Sequence, residues 1–171
     1  MTVTGSGPMV DIYSDRIEIT NPGVPLVDPN RFLDALPQSR NEAIASLLRR
    51  FGMCEERGSG VKKAISAIEI HQLPPPDFSV HGNITRAVLF APRKFKDMDS
   101  RERARACYQH TVLQYLTNQK MTNKSLRQRF GISDRNAAQV SNVINLAVRE
   151  GLIRQSEGWT PRSGHYLPSW A

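Results

Sequence analysis

Residues 121–151 read MTNKSLRQRFGISDRNAAQVSNVINLAVREG, and their order of caps, turn and apolar positions decides the fold of this part of the chain. Thr122 is a suitable N-cap, with Met121 and Leu126 spaced as a hydrophobic staple. A tight turn at Gly131 separates this first short helix from a longer one, which Ser133 is predicted to cap. The stretch therefore predicts a helix-turn-helix.

The longer helix, predicted over residues 133–149, has an apolar face and a polar face. Its apolar side chains recur at helical spacing: Ala137, Val140, Val143, Ile144, Ala147 and Val148. The side chains predicted to point away are Arg135, Ala138, Asn142, Asn145 and Arg149. Arg binds guanine edges or phosphates, Asn pairs with an adenine edge, and a small side chain allows close approach. The polar face therefore fits double-stranded DNA.

Further cations are expected to hold the DNA backbone. On the first helix of the pair these are Lys124, Arg127 and Arg129. Beyond Gly151 the sequence predicts a strand, a basic loop with glycines and a second strand, which together form a β-wing. Arg162 in that loop is expected to reach a phosphate or the minor groove. With the helix that begins after Asp99, these elements predict a winged helix domain over residues 100–171.

The charge of the chain is unevenly distributed. Residues 93–171 contain 14 Lys and Arg against 6 Asp and Glu, whereas residues 1–92 contain 9 against 10. A basic domain built around a helix-turn-helix favours DNA as its partner, because Lys and Arg neutralise phosphates. The alternative is a protein-interaction module that does not bind DNA, since three-helix units with an exposed polar helix also serve that purpose.

The first part of the chain predicts a small mixed α/β domain. Residues 8–21 alternate apolar and polar positions around a turn, as a β-hairpin does. Two amphipathic helices are expected next, over residues 41–51 and after Gly58-Ser59-Gly60, and Pro74-Pro75-Pro76 ends the second. A second strand pair is predicted between Phe78 and Phe90.

The overall prediction is an α+β protein with two domains. The α/β domain covers residues 1–92, the polar segment 93–99 is a linker, and the winged helix follows. At 171 residues the composition is that of a globular protein. Apolar runs such as residues 87–91 are too short to span a membrane, and no signal peptide opens the chain. The sequence therefore predicts a cytoplasmic protein without membrane partners.

No motif in the sequence assigns an enzymatic site. A G-x-x-x-x-G-K-[ST] phosphate loop does not occur. The four histidines are scattered singly, and the two cysteines have no ligand spacing, so neither a metal site nor a catalytic residue is predicted. The chain is not expected to need a cofactor.

Three segments in the first domain resemble a known family. They are IEITNPGVPL at residues 17–26, Arg40-Asn41 at the start of a helix, and CEERGSGVKK at residues 54–63. In this order they resemble the carboxy-terminal region of bacterial RecG-related or Schlafen AlbA-type transcriptional regulators, over residues 8–92. The resemblance implies part of a GHKL-type ATPase fold followed by a winged helix, and hence a DNA-binding regulator that could form a homodimer.

The resemblance also implies chain before Met1, comprising a helix with the Asn/His box that binds magnesium and an AlbA-type domain. The sequence is accordingly expected to be the carboxy-terminal fragment of a longer regulator. ATP and magnesium would be cofactors only in that longer protein. Thr20-Asn21-Pro22-Gly23 replaces the Asp-Gly motif of a working GHKL site. A GHKL-type ATPase domain of a DNA-processing protein is the alternative function.

One short motif in the first domain has two interpretations. Gly58, Ser59 and Gly60 precede a helix, and backbone N–H groups at such a position can bind an anion, with Lys62 adding positive charge. The other interpretation is a loop whose glycines simply permit the turn.

Overall fold

A computed structural model of the chain describes residues 7–53, 58–160 and 164–171. The described residues divide into two compact units. The first consists of the residues up to Ala64 together with Pro76–Phe90, and the second consists of Ile65–Pro75 together with the residues from Ala91 onward. Each unit combines α-helices with an antiparallel sheet, in agreement with the predicted α+β class.

The first unit is built on a four-stranded antiparallel sheet. Its strands are β1 (Met9–Ile12), β2 (Arg16–Pro22), β3 (Asp77–His81) and β4 (Ile84–Phe90), in the order β1-β2-β4-β3. Both predicted strand pairs are present, and β2 joins them by pairing with β4 along its whole length.

Two helices lie between the strand pairs in sequence. Helix α1 (Glu42–Arg50) begins where Asn41 Oδ1 accepts a hydrogen bond from the backbone N–H of Ile44, 3.0 Å away. It ends before Gly52, whose φ of +67° favours glycine. Helix α2 (Gly60–Ile70) follows, and its residues from Ile65 onward belong to the second unit.

The second unit contains three further helices and a two-stranded sheet. These are α3 (Ser100–Leu116), α4 (Asn123–Phe130), α5 (Ala137–Arg149), β5 (Ile153–Gln155) and β6 (Tyr166–Pro168). Helix α3 is the centre of the core, since it is buried on all sides between Ala106 and Leu113. It starts after Asp99, as predicted, with a capping box in which Asp99 accepts from the backbone N–H of Glu102 and Glu102 accepts from the backbone N–H of Asp99.

Two segments of the second unit differ from the sequence prediction. The helix predicted from residue 133 begins with a 3-10 turn at Asp134–Asn136, and the Ser133 side chain makes no capping hydrogen bond. Residues 93–99, predicted as a linker, contain a 3-10 turn at Phe95–Asp97 and pack within the unit. The Phe95 ring lies 4.8 Å from the Phe130 ring, so this polar segment carries its own apolar anchor.

No helix in the described residues is long and apolar enough to cross a membrane.

Candidate nucleic-acid interface

Helix α5 presents its polar face to solvent. The five side chains predicted to point outward are all exposed: Ala138, Asn142, Asn145 and Arg149 on α5, and Arg135 in the 3-10 turn before it. The opposite face is buried, with Val140 and Ala147 at 0% exposure and Val143 at 5%. Because the apolar side chains of α5 supply the core, the polar side chains are held outward on a rigid element. Val148, predicted to be apolar core, is 36% exposed.

A hydrogen-bond network joins α4 to α5 at the edge of this face. Asn123 Nδ2 donates to the carbonyl of Ala137 at 3.1 Å and to Ser141 Oγ at 3.0 Å. Arg127 Nε donates to Asn123 Oδ1 at 2.9 Å. The two bonds from the Asn123 amide connect α4 to α5, and the bond from Arg127 holds that amide in place. The network fixes the position of α5 relative to α4.

Arg127 has a second partner that sequence analysis did not identify. Its guanidinium forms an ion pair with Asp134, whose side chain is almost fully exposed, in the 3-10 turn before α5. The Arg127 side chain itself is 14% exposed. Part of its charge is therefore neutralised within the protein. The pair joins α4 to a turn that the sequence predicted as regular helix, which is why it was missed.

Lys124 lies at a groove beside the α5 face. The lysine is exposed in the first turn of α4. The groove has a volume of about 570 Å³, and its lining includes Lys124, Asn145 and Trp159. A cation, an amide and an indole therefore face one concave surface between α4, α5 and the β5–β6 hairpin.

Arg129 does not belong to the interface. It is only 5% exposed, and its guanidinium donates to the carbonyl of Leu73 at 2.7 Å. Burial lowers the pKa of Arg129, and the nearby carboxylate of Glu69, 3.6 Å from Nε, opposes that shift. The prediction that Arg129 contacts DNA is wrong, because the side chain is used to attach residues 69–73 to α4.

Glu69 also takes part in a buried cluster that the sequence did not reveal. His110 Nδ1 lies 2.9 Å from Glu69 Oε2, and His110 Nε2 lies 3.1 Å from Ser125 Oγ. A Ser-His-Glu arrangement is that of a hydrolase triad. Here, however, Ser125 Oγ donates to the Thr122 carbonyl and accepts from the Thr122 N–H in the α4 capping box, so the hydroxyl is used to start the helix. The cluster holds α2, α3 and α4 together. No sequence signal pairs residues so far apart in the chain.

The β5–β6 hairpin follows α5 as predicted. Ile153–Gln155 pairs with Tyr166–Pro168, and the Tyr166 N–H also donates to the carbonyl of Met121 at 3.0 Å. Trp159 packs near the Tyr166 ring, with ring centres 6.3 Å apart. Burial raises the pKa of Tyr166. Arg162, the predicted phosphate contact of this loop, lies outside the described residues.

The candidate anion site in the first unit has a packing explanation. Gly58 has a φ of +57°, and a Cβ there would lie 2.6 Å from Pro37 Cγ. Glycine is therefore required by both backbone conformation and close approach. The Ser59 carbonyl accepts from Lys63 N–H at 2.9 Å, Gly60 starts α2, and Lys62 is half-buried. These contacts support the interpretation as a turn.

Within the described ranges, no three or more His, Cys, Asp or Glu side chains are placed to hold a metal ion. Cys107 is fully buried, and burial raises the pKa of its thiol. A thiol held in its neutral form is a weak ligand and a weak nucleophile.

Comparison with known proteins gives a family match for the first part of the chain. Residues 5–89 match the model described as the putative ATP-dependent DNA helicase recG C-terminal family. The match agrees with the RecG-related resemblance of residues 8–92 and ends before α3. No curated protein matches the chain.

The chain is also similar to a solved structure, that of the DIP2311 protein from Corynebacterium diphtheriae. The alignment covers 90% of this chain at 12% identity, with a TM-score of 0.40. The chain spans 44% of the length of that protein.

Proposed function

We propose that the second unit is the DNA-binding winged helix domain of a transcriptional regulator, with α5 lying in the major groove. The observation that carries this proposal is the α5 surface. Asn142 and Asn145 on α5, and Arg135 in the 3-10 turn before it, are exposed, while the opposite face of α5 is buried in the core. An exposed helix of this composition can reach base edges without rearrangement of the fold.

The arrangement around α5 supports the proposal. Helices α3, α4 and α5 are followed by a hairpin, and Met121 adds a bridge to Tyr166 at its edge. A hairpin attached to a helix-turn-helix in this way can extend along the DNA backbone as a wing. Lys124, exposed beside the hairpin, is proposed to bind a phosphate.

We assign the first unit a regulatory role, as a sensing or dimerisation part. Its charge is close to neutral, unlike that of the basic second unit, so it is less suited to neutralise phosphates. Helix α1 leaves Ile44, Leu47 and Phe51 at least half exposed, as an association surface would. A homodimer would read two half-sites about one helical turn apart.

Titration of fluorescent duplex DNA by the chain at several salt concentrations tests the DNA-binding proposal. Binding should weaken as salt rises, and the slope of log K against log salt should be about −0.9 for each phosphate neutralised. Absence of binding at low salt, about 50 mM, would rule out the proposal. A complex with a protein partner under the same conditions would then favour an interaction module.

Variants separate base reading from phosphate binding. Arg135→Ala or Asn142→Ala should cost about 1–3 kcal/mol on a duplex selected from a random library, and much less on unrelated duplexes. Lys124→Ala should weaken binding to all sequences alike. Arg50→Ala, which removes an exposed cation of the first unit, is the control and should leave both affinities unchanged.

Nucleotide binding by the first unit is the second candidate function. It is favoured by the description of the family that residues 5–89 match, which includes ATP dependence. Calorimetric titration of the chain with ATP and Mg²⁺ tests it. Heat that saturates at one nucleotide per chain would support it, whereas dilution heat alone would count against a site within these residues.

A further inference from the structure

A second groove borders α5 within the second unit, and none of the proposed contacts uses it. It has a volume of about 780 Å³. The groove is lined by the start of the α5 segment, at Ser133 and Asn136, and by residues 92–96. The charged or titratable side chains in its lining are Arg93, Lys94, Lys96 and His71.

The groove lining contains no carboxylate. Among the acidic side chains nearest in sequence, Glu102 pairs with Arg93 and Asp99 caps α3. Asp97 is exposed in the same 3-10 turn as Lys96 but does not line the groove. Asp134, at the start of the α5 segment, pairs with Arg127 instead. Since Arg93 is paired with Glu102, the remaining positive charge of the lining comes from Lys94 and Lys96. A concave surface that carries cations attracts a polyanion.

The segment that carries the lysines is held rigidly. Phe95 packs against Phe130, and the Arg103 guanidinium lies 4.3 Å from the Phe95 ring centre. Arg103 also donates to the carbonyls of Phe95 and Lys96, each at 3.2 Å. Lys94 and Lys96 flank this anchor in sequence and are both exposed. The anchor therefore fixes the backbone from which both lysines extend.

The groove lies on the flank of α5 opposite Lys124. Asn136 and Gln139 line it, and Gln139 also lines a smaller groove that continues to Ser100 and Asn142. The groove beside Lys124 instead uses Ser141 and Asn145 of α5. At 3.6 residues per turn these two sets fall on opposite sides of the exposed face that contains Ala138. The proposed base-reading face is thus bordered by a groove on each side.

We propose that the groove at Lys94 and Lys96 binds the phosphodiester backbone of the DNA strand across the major groove from the strand near Lys124. This inference rests on the proposed DNA-binding function. A helix lying in the major groove, which is about 12 Å wide, has one backbone on each side. The two grooves flanking α5 match that arrangement, and the lysines would fix α5 from the second side.

The test compares salt dependence of DNA binding by the unaltered chain and by the double variant Lys94→Gln, Lys96→Gln. The slope of log K against log salt should become shallower by about 1–2, and affinity should fall alike on cognate and unrelated duplexes. The variant Lys94→Arg, Lys96→Arg keeps both charges and should retain the original slope. Arg50→Gln, in the first unit, controls for the loss of net charge.

Each outcome supports or overturns the inference. An unchanged slope in the Gln variant, with DNA binding by the unaltered chain intact, overturns the groove assignment and leaves the proposed function standing. A shallower slope of log K against log salt in both the Gln and the Arg variant also overturns it, because the lysine charges would then not be the cause of the change. If the unaltered chain does not bind DNA, both proposals fail. Binding of inorganic phosphate that requires the two lysines, without any change in DNA slope, would identify a small-anion site instead.

Discussion

The two units differ in where their large apolar side chains lie. In the second unit they fill a core, with Val112, Leu126 and Val140 at 0% exposure. In the described residues of the first unit, the buried large apolar side chains are Leu33 and Val88. Many others are exposed there: Met9, Val10, Ile12, Tyr13, Ile17, Val24, Leu26, Leu36, Ile44, Leu47, Leu48, Phe51, Met53 and Ile84.

The two units are therefore stabilised in different ways. The second unit buries apolar surface against itself and exposes charge, as an independently stable domain does. The first unit keeps its sheet through backbone pairing but leaves the apolar face of α1 in water. Extended apolar surface of this kind is typical of sites that associate with another chain or segment.

The largest expected effect comes from a matched pair of leucine truncations. Leu126→Ala removes a fully buried side chain and should lower the free energy of unfolding of the second unit by about 2–5 kcal/mol. Leu47→Ala, at 50% exposure, should change stability by less than about 0.5 kcal/mol. Denaturant unfolding followed by tryptophan fluorescence measures the first effect, because both tryptophans, Trp159 and Trp170, lie in the second unit. Circular dichroism measures the second. If the two truncations lowered the free energy of unfolding equally, the two units would not differ in how they bury apolar side chains.

Removing the partly buried carboxylate of Glu69 should have the next largest effect. Glu69→Gln deprives Arg129 of its opposite charge and His110 of its acidic partner. A buried charged group without compensation is costly, so the second unit should lose about 1–3 kcal/mol in the same fluorescence assay. Glu150→Gln changes an exposed carboxylate just after α5 and should have almost no effect. A silent Glu69→Gln would show that residues 65–75 add little to this unit.

A smaller effect is expected from the helix caps of the second unit. Thr122→Ala removes a side-chain bond to the Ser125 N–H at 3.2 Å and should cost about 1 kcal/mol. Ser133→Ala, where no capping bond exists, should be close to neutral. The pair is compared by denaturant midpoints. A cost at Ser133 equal to that at Thr122 would contradict the observed 3-10 start of the α5 segment.

The smallest effect is a pH dependence in the first unit. A hydrogen bond from Arg16 holds the pKa of Glu18 below its usual value, and Arg86 adds to this. Because the pKa in the folded state is lowered, the stabilisation is present above the unfolded pKa and is lost as pH falls through the folded pKa. The difference in thermal midpoint between the unaltered chain and Glu18→Gln should therefore shrink as pH is lowered from 7 to 3, as measured by circular dichroism. If the difference in thermal midpoint did not change with pH, Glu18 would stabilise the first unit through packing and not through its charge.

Sequence patterns predicted the local elements of both units well. Alternation identified the first strand pair, and the predicted cap at Thr122 marked the start of α4 correctly. The helix starts expected near Asn41 and after Asp99 are also present. The apolar period of α5 predicted which of its side chains are exposed, except at Val148, which lies on the predicted apolar face and is 36% exposed. These features depend on residues close together in the chain, where spacing determines geometry.

The features that the sequence patterns did not predict depend on partners far away in the chain. Arg129 has the same local pattern as a surface cation, and only the carbonyl of Leu73 and the carboxylate of Glu69 explain its burial. Segment 93–99 is as polar as a linker, yet Phe95 and Met98 attach it to the second unit. Neither tertiary contact leaves a periodic signal in the sequence. DNA contact stays a prediction for all the exposed side chains of the α5 segment and for Lys124, Arg127 and Arg162.

The placement of Ile65–Pro75 in the second unit has a consequence for modularity. A gene rearrangement that joined only residues 92–171 to another protein would transfer α3, α4 and α5 without Glu69 and Leu73. Arg129 would then lose both its opposite charge and its carbonyl acceptor. The second unit is therefore not one contiguous segment of the chain, and we expect residues 92–171 to be inherited together with the end of α2.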